Sequence, residues 1–297
     1  MRYGVDLGHT GKRVVRAAET AQGLVLQPDE PLRRVRAVLG LPTADSLFRV
    51  IELQGAAQGE LNSALRWELQ RFLPYPVDEG SFDYVPLPGG PEAPERFLAV
   101  GARQDVVQQH ITAARRQGVV AAAVEPEWAT LWRAAVSLAP GGRSFGILDL
   151  GATATRIVVI SADGSPVVHF EEPIGGRHFS QAIVEATGMS PEGAEWSKLN
   201  ELQEELGDVG QSEALGQLVG SLARVLRRVA AEQGRGISGL FAVGGGGHWP
   251  ALRATLQAAL GVDVLEPSAG QGPLAALDCR MTLAGALALW QKGGSVT

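Results

Sequence analysis

Two short stretches of the chain set the same polar residues in the same order. Asp6, Leu7, Gly8 and Thr10 occur in YGVDLGHT, and Asp149, Leu150, Gly151 and Thr153 in FGILDLGATAT, where Thr155 follows. In each, an acid, a glycine and hydroxyls interrupt an apolar run that then resumes, at Val14 and Val15 or at Ile157 to Ile160. A carboxylate there can hold a hydrated Mg²⁺, and a glycine turn offers bare amides to phosphate oxygens. Either stretch alone reads equally as a tight hairpin turn. Two of them, each opening roughly half of the chain, point to a duplicated unit.

A third element is SGLFAVGGGGHWPALRATL at 238–256. An apolar strand runs from Leu240 to Val243, the side-chain-free Gly244, Gly245, Gly246 and Gly247 follow, and Pro250 suits the first turn of a helix. Strand, glycine loop and helix start favour a phosphorylated ligand. GHTGKR at 8–13 is not a P-loop, because the four-residue gap is missing and Arg13 stands where Ser or Thr should follow the lysine. GGGGHW lacks the GxGxxG spacing of a dinucleotide fingerprint and falls late in the chain. What remains is a pair of hairpins gripping phosphates from opposite sides. Asp6 and Asp149 would hold the metal, while Gly8, His9, Thr10 and Gly11 face Gly151, Ala152, Thr153 and Thr155.

The elements that must position these turns follow from pattern. Residues 1–27 read as a strand meander, 46–53 as a strand, and Leu61, Leu65, Leu69 and Phe72 as one helical stripe ending at Pro74. A strand at 95–103, an amphipathic helix closed by Gly118, a strand at 119–124 and a helix from Pro126 follow. Pro140, Gly141 and Gly142 mark a hinge. Beyond the second turn come a strand at 165–173 and helices at 177–188, 191–206 and 212–233. Strands interleaved with helices in both halves predict an α/β protein with mixed sheets. Its 297 residues, 45% of them hydrophobic, suffice for two domains.

A formal charge of -6 argues against a direct nucleic-acid binder, and Arg224, Arg227 and Arg228 read as a solvated helix face. The single cysteine, Cys279, excludes an intrachain disulfide and a cysteine-cluster metal site, and is expected to pack as a small hydrophobe. No leader pattern precedes the first strand, and no apolar run approaches the roughly 20 residues of a spanning helix. A soluble, cytoplasmic protein is the expectation.

The order DLGxT, DLGxT, GGGG resembles the phosphate 1, phosphate 2 and adenosine motifs of the actin, Hsp70 and hexokinase superfamily. Within it the chain is similar to the PilM family of type IV pilus assembly proteins, actin-like relatives of the cell-division protein FtsA. The likeness is carried by residues 63–84, with the LPYP corner and VDE segment, by 97–131, by FGILDLGATATRIVVI and by EEPIGGRHFSQAI at 171–183. It implies a two-lobed actin-like (ribonuclease H-like) fold of duplicated mixed-sheet domains. The first lobe would span 1–140 with an FtsA-like subdomain inserted at about 35–103, and the second 143–297 with an outer subdomain at about 181–236.

The resemblance also implies ATP and Mg²⁺ as cofactors. AEWSK at 194–198 is similar to the family's AExxK helix, which would put Glu195 and Lys198 near the ribose or adenine; read alone, the pair is a solvated helical salt bridge. Gly175 and Gly176 match a turn before a helix close to the nucleotide. Glu127 falls where superfamily ATPases place a water-orienting acid, and with Asp149 it is the catalytic candidate. The departures are His9, Thr10 and Gly11 in place of consecutive small hydroxyl residues, a missing helix within 28–45, and a shortened 200–220.

The function implied is a cytoplasmic ATP-binding scaffold of a type IV pilus or competence machine, at most a slow ATPase. It would dock the cytoplasmic tail of the membrane protein PilN in a groove of its first half, meet the pilus motor, and touch the inner membrane only through partners; self-association stays open. Two other readings stay open too, a small-molecule kinase of the same superfamily and a nucleotide-free structural platform. Trp128, Trp132 and Tyr75 read either as a peptide groove or as core.

Overall fold

Alternation in the first hairpin sends Val5 and Val14 to one face of a sheet and Val15 and Ala17 to the other. Both faces are covered, so the strands read as near-continuous apolar runs. The computed structural model describes residues 2–8, 11–21, 23–29, 34–53, 60–88, 95–200 and 207–291. β1 (Arg2–Gly8), β2 (Gly11–Thr20) and β3 (Gly23–Asp29) form an antiparallel meander. β4 (Val35–Leu41) then pairs parallel to β1.

An inserted unit follows. β5 (Leu47–Leu53), α1 (Leu61–Gln70), β6 (Gly80–Pro86) and β7 (Glu95–Arg103) build an antiparallel sheet of order β5-β7-β6 with its own core around Leu65, Leu69 and Phe97. Because β4 belongs to the central sheet, this unit's first strand begins at Leu47, later than the expected 35. The helical stripe also stops early. Leu65 and Leu69 are fully buried, but α1 ends at Gln70, and Phe72 is 43% exposed with the Arg49 guanidinium over its ring.

The chain returns through α2 (Gln104–Arg116) to β8 (Val119–Pro126), which pairs parallel to β4 and completes the order β3-β2-β1-β4-β8. After α3 (Glu127–Leu138), the second half repeats the plan. β9 (Phe145–Leu150), β10 (Thr155–Ile160) and β11 (Pro166–Glu172) form a meander. The helices α4 (Gly176–Thr187), α5 (Pro191–Asn200) and α6 (Glu213–Gln233) come next. Of the helix expected at 191–206, residues 201–206 lie outside those described.

β12 (Leu240–Val243) pairs parallel to β9, and the four glycines after it form one helical turn, α7 (Gly244–Gly247), in place of the expected loop. Then follow α8 (Pro250–Leu260) and β13 (Val264–Leu265), giving the order β11-β10-β9-β12-β13, and finally α9 (Thr282–Ala288). The two sheets therefore have one topology, three antiparallel strands and two parallel ones. Among the described residues no helix is long and apolar enough to cross a membrane.

Two helices join the halves by packing on each other's ground. α3 lies against β9 and β10 of the second sheet, while α9 lies against β1, β2 and β4 of the first, and the two touch. Trp128, Leu131, Ala135 and Leu138 of α3 share one core with Ala284, Ala286 and Ala288 of α9 and with Val15, Ile147 and Phe241 of the sheets. Trp128 also lies against Phe48 of the inserted sheet, with ring centroids 4.0 Å apart, so Trp128 and Trp132 are core residues. The α9 backbone comes so close to β1 that a Cβ on Gly4 would lie 2.0 Å from the Ala284 carbonyl oxygen and 2.3 Å from the Ala288 nitrogen.

That approach sets a stability prediction. Gly4→Ala should destabilise the protein by about 1–3 kcal/mol in denaturant unfolding, because helix and strand must separate to admit the methyl group. Gly141→Ala, where a Cβ meets nothing within 4 Å, is the control. Equal midpoints for both variants would contradict the packing.

Candidate functional site

Asp6 ends the buried part of β1, Asp149 lies one residue before the end of the fully buried β9, and each is nine-tenths or more buried. The duplicated topology turns both toward one crevice between the halves. There they line a cavity of about 640 Å³ together with Gly8, Glu127, Gly151, Ala152 and Thr153. Gly176, Glu195 and Lys198 border it from α4 and α5, and Gly244, Gly245 and Gly246 from α7. Three sequence elements, separated by 143 and 95 residues, thus meet at one place.

Not every expected residue faces that space. Thr155 is buried and donates its hydroxyl to the Ile174 carbonyl at 2.7 Å, tying the second hairpin to the loop before α4. Gly175 serves packing, since a Cβ would lie 2.5 Å from the Gly151 carbonyl oxygen. The α4 amides of Gly176 and Arg177 donate to the carbonyls of Gly151 and Ala152 at 2.9 and 2.8 Å, so the hairpin turn sits directly on that helix start. Gly247 is buried against Ala242, and Gly11 pairs with Gly8 at the hairpin neck without lining the cavity. His9 and Thr10 lie outside the described residues.

The tetraglycine turn has mixed reasons for its composition. At Gly244 a Cβ would meet the Asp149 Oδ1 atom at 2.5 Å, and φ is +78°; at Gly246 it would meet the Leu150 Cβ at 2.7 Å. Only at Gly245 does it find open space, on the cavity side. Beneath the turn the Cys279 thiol donates to the Gly244 carbonyl, and burial pushes its pKa up to about 11.

Glu195 and Lys198 are more than a solvated pair. The Lys198 ammonium, with a side chain 10% exposed, donates to the Gly176 carbonyl at 2.9 Å, to Ser180 at 3.0 Å and to Glu195 at 2.5 Å. Burial works against the charge on Glu195, but hydrogen bonds from Lys198 and Ser180 outweigh it and hold the carboxyl below its ordinary value.

The floor of the crevice holds two arginines absent from the sequence expectations. Arg13 stands directly across the first hairpin from Asp6, and Arg156 directly across the second from Asp149. Their ion pairs measure 3.2 and 2.9 Å. Arg156 goes further, donating from Nε to Glu171 at 2.9 Å and lying 3.1 Å from Glu127 Oε2. That last contact is off-line, so Glu127 Oε2 is buried near a cation without a hydrogen bond. Burial opposes the charge on Arg156, yet Glu127, Asp149 and Glu171 together hold its pKa above the ordinary arginine value.

Glu127 opens α3 and leans on Gly40 of β4, where a Cβ would meet its Cγ at 3.2 Å. Burial raises its pKa to about 7; Arg156 opposes this, while Asp6, Asp149 and Glu171 add to it. Asp6 is raised too, by burial first, with Arg13 opposing and Asp149 reinforcing.

These pairings do not fit an Mg²⁺ ion shared by Asp6 and Asp149. Asp6 Oδ2 and Asp149 Oδ2 each face a guanidinium, and Asp149 Oδ1 is packed against Gly244. Among the described residues, a trio of candidate ligands whose atoms come within 4.8 Å of one another is formed by His248, Asp278 and Cys279. A divalent ion needs oxygens turned to one centre, and a guanidinium beside them opposes it by like charge.

Two sheets of one strand order, each bringing an acidic hairpin to a shared cleft, define an actin-like protein. The family model described as type IV pilus assembly protein PilM matches residues 5–271, and the chain belongs to that family. Its structure is similar to a solved PilM-PilN type IV pilus biogenesis complex, at TM-score 0.76 and 22% identity over 97% of both chains. It is also similar to the ethanolamine utilization protein EutJ from Carboxydothermus hydrogenoformans, at TM-score 0.52 and 17% identity over 98% of this chain and 90% of that one. At these identities the likeness is one of fold.

Glu127 gives a pH prediction whose sign linkage determines. Its carboxyl rises from 4.5 to about 7 on folding, so the stability tied to its proton is whole below the lower value and lost as pH rises through the upper. Glu127→Gln cannot titrate. The melting temperature of the wild type minus that of Glu127→Gln should therefore fall between about pH 5 and about pH 8, and a flat difference would contradict the burial of a titrating acid.

Proposed function

We propose that the protein is a nucleotide-binding scaffold of the type IV pilus assembly machinery, taking ATP in the interlobe cleft. The observation that carries this is the convergence of both acidic hairpins and the tetraglycine turn on one cavity, whose volume suits a small-molecule ligand. On this reading Gly151, Ala152 and Thr153 face the phosphates from one side and Gly8 from the other. Gly245 offers backbone without a side chain, and Glu195 and Lys198 stand toward the sugar and base.

Hydrolysis on this reading is slow or absent. Glu127 is the acid best placed for orienting water, but its carboxylate lies against Arg156. A scaffold that holds nucleotide without consuming it fits that geometry better than a small-molecule kinase, which needs an acid free to activate a substrate hydroxyl. The partner on this reading is the cytoplasmic tail of a PilN-like inner-membrane protein, docked on the first half of the chain, which would place the protein at the inner face of the cytoplasmic membrane. Support comes from membership of the PilM family and from the solved complex of a PilM with PilN.

Two measurements test this. ATP at a hundred times its dissociation constant should add about 2.7 kcal/mol of stability, read as a thermal shift, while no shift at millimolar ATP would favour a nucleotide-free platform. A synthetic peptide of the PilN cytoplasmic tail should bind the purified protein in calorimetry. Absence of heat at micromolar concentrations would count against the docking role.

A further inference from the structure

The crevice floor carries a cation of its own. Arg156 projects from β10 between Asp149, Glu127 and Glu171, contacting all three within 2.9–3.1 Å. It stands where an acid-bound divalent ion would have to sit, and its side chain, 18% exposed, still lines the cavity. We propose that Arg156 replaces the divalent metal in this protein, so that the cleft takes a nucleoside polyphosphate without a metal ion.

The donor arithmetic supports this. A guanidinium has five N–H groups in one plane. Nε is spent on Glu171 and one N–H of Nη1 on Asp149, while Nη2 lies 3.1 Å from Glu127 without hydrogen-bonding it. N–H groups therefore remain on both Nη1 and Nη2, and a guanidinium can give two such groups to two oxygens of one phosphate. The carboxylates fix the plane of the group before any ligand arrives.

Charge balance points the same way. The cavity lining carries the cations Arg13, Arg156, Arg177, Lys198 and Arg280 beside the acids Asp6, Glu127, Asp149 and Glu195, and Glu171 and Asp278 are paired with Arg156 and Arg280. Burial favours the neutral form of Glu127, which removes negative charge from that wall. A metal-free polyphosphate meets complementary charge there, whereas a divalent ion added beside Arg156 meets a like charge in a water-poor site. The duplicated Arg13 faces the same space from the opposite hairpin, paired with Asp6 in the corresponding register.

This rests on the nucleotide reading, but two separate arms test it. Binding of a fluorescent ATP analogue is measured in excess Mg²⁺ and in excess EDTA, with wild type, Arg156→Gln and Arg156→Lys, each checked for folding by circular dichroism. Wild-type affinity should agree within about threefold between the two conditions, and Arg156→Gln should lose about tenfold or more in EDTA, the worth of charged hydrogen bonds. Mg²⁺ should restore part of that loss, and Arg156→Lys should lie between.

The second arm uses Mn²⁺ alone, titrated into the protein and followed by electron paramagnetic resonance. Wild type should hold no Mn²⁺ in the cleft, and Arg156→Gln should acquire a site that Asp149→Asn in the same background abolishes. Loss of wild-type analogue binding in EDTA, or a wild-type Mn²⁺ site removed by Asp149→Asn, overturns the proposal. Failure of the analogue to bind under either condition overturns the nucleotide reading, and the Mn²⁺ result then decides whether Arg156 has displaced the metal.

Discussion

Carboxylates that gather out of water must take up a proton or be matched by cations, and the crevice between the halves is built around that rule. Asp6, Glu127 and Asp149 each come from a strand end or helix start, and each is drawn into a largely buried place by the meeting of the two sheets. Arg13 and Arg156 make the assembly tolerable because cross-strand register sets each one opposite its acid. The hairpin supplies acid and counter-charge together, so the duplication carried an ion pair as well as a topology.

The glycines around this floor are there for closeness of backbones as much as for any ligand. Gly175 lets α4 sit on the Gly151–Ala154 turn, and Gly244 and Gly246 let the helical turn after β12 sit against Asp149 and Leu150. The cavity wall at these turns is consequently main chain, held by close packing and by hydrogen bonds from Thr155, Lys198 and Cys279. Such a wall is preorganised, since it has few rotamers to freeze when something enters.

Much of this was legible in the sequence for a simple reason: an acid and a glycine breaking an apolar run are conspicuous, and the break occurs twice. The same pattern gave the duplicated fold and the three cavity-lining elements. The arginines escaped notice because Arg13 was weighed only against a P-loop and Arg156 is embedded in TRIVVI, a buried strand. Their signal was the interval, an arginine seven residues after each DLG aspartate. β4 escaped too, since VRAVLGL is a central parallel strand covered on both faces and shows little alternation. Phe72 was misplaced because helical spacing was extended past the end of the helix, and Thr155 because a hydroxyl beside a turn can bond to its own scaffold as readily as to a ligand.

The contact of Gly4 with Ala284 and Ala288 joins residues 280 or more positions apart. A chain growing from the ribosome exposes β1 almost at once, but the helix that covers that strand emerges among the last residues described. Until then the first sheet presents Val15 and Ala17 to water on its open side. The longest loop of the fold is therefore the last to close, and the first sheet cannot be covered on that side until it does.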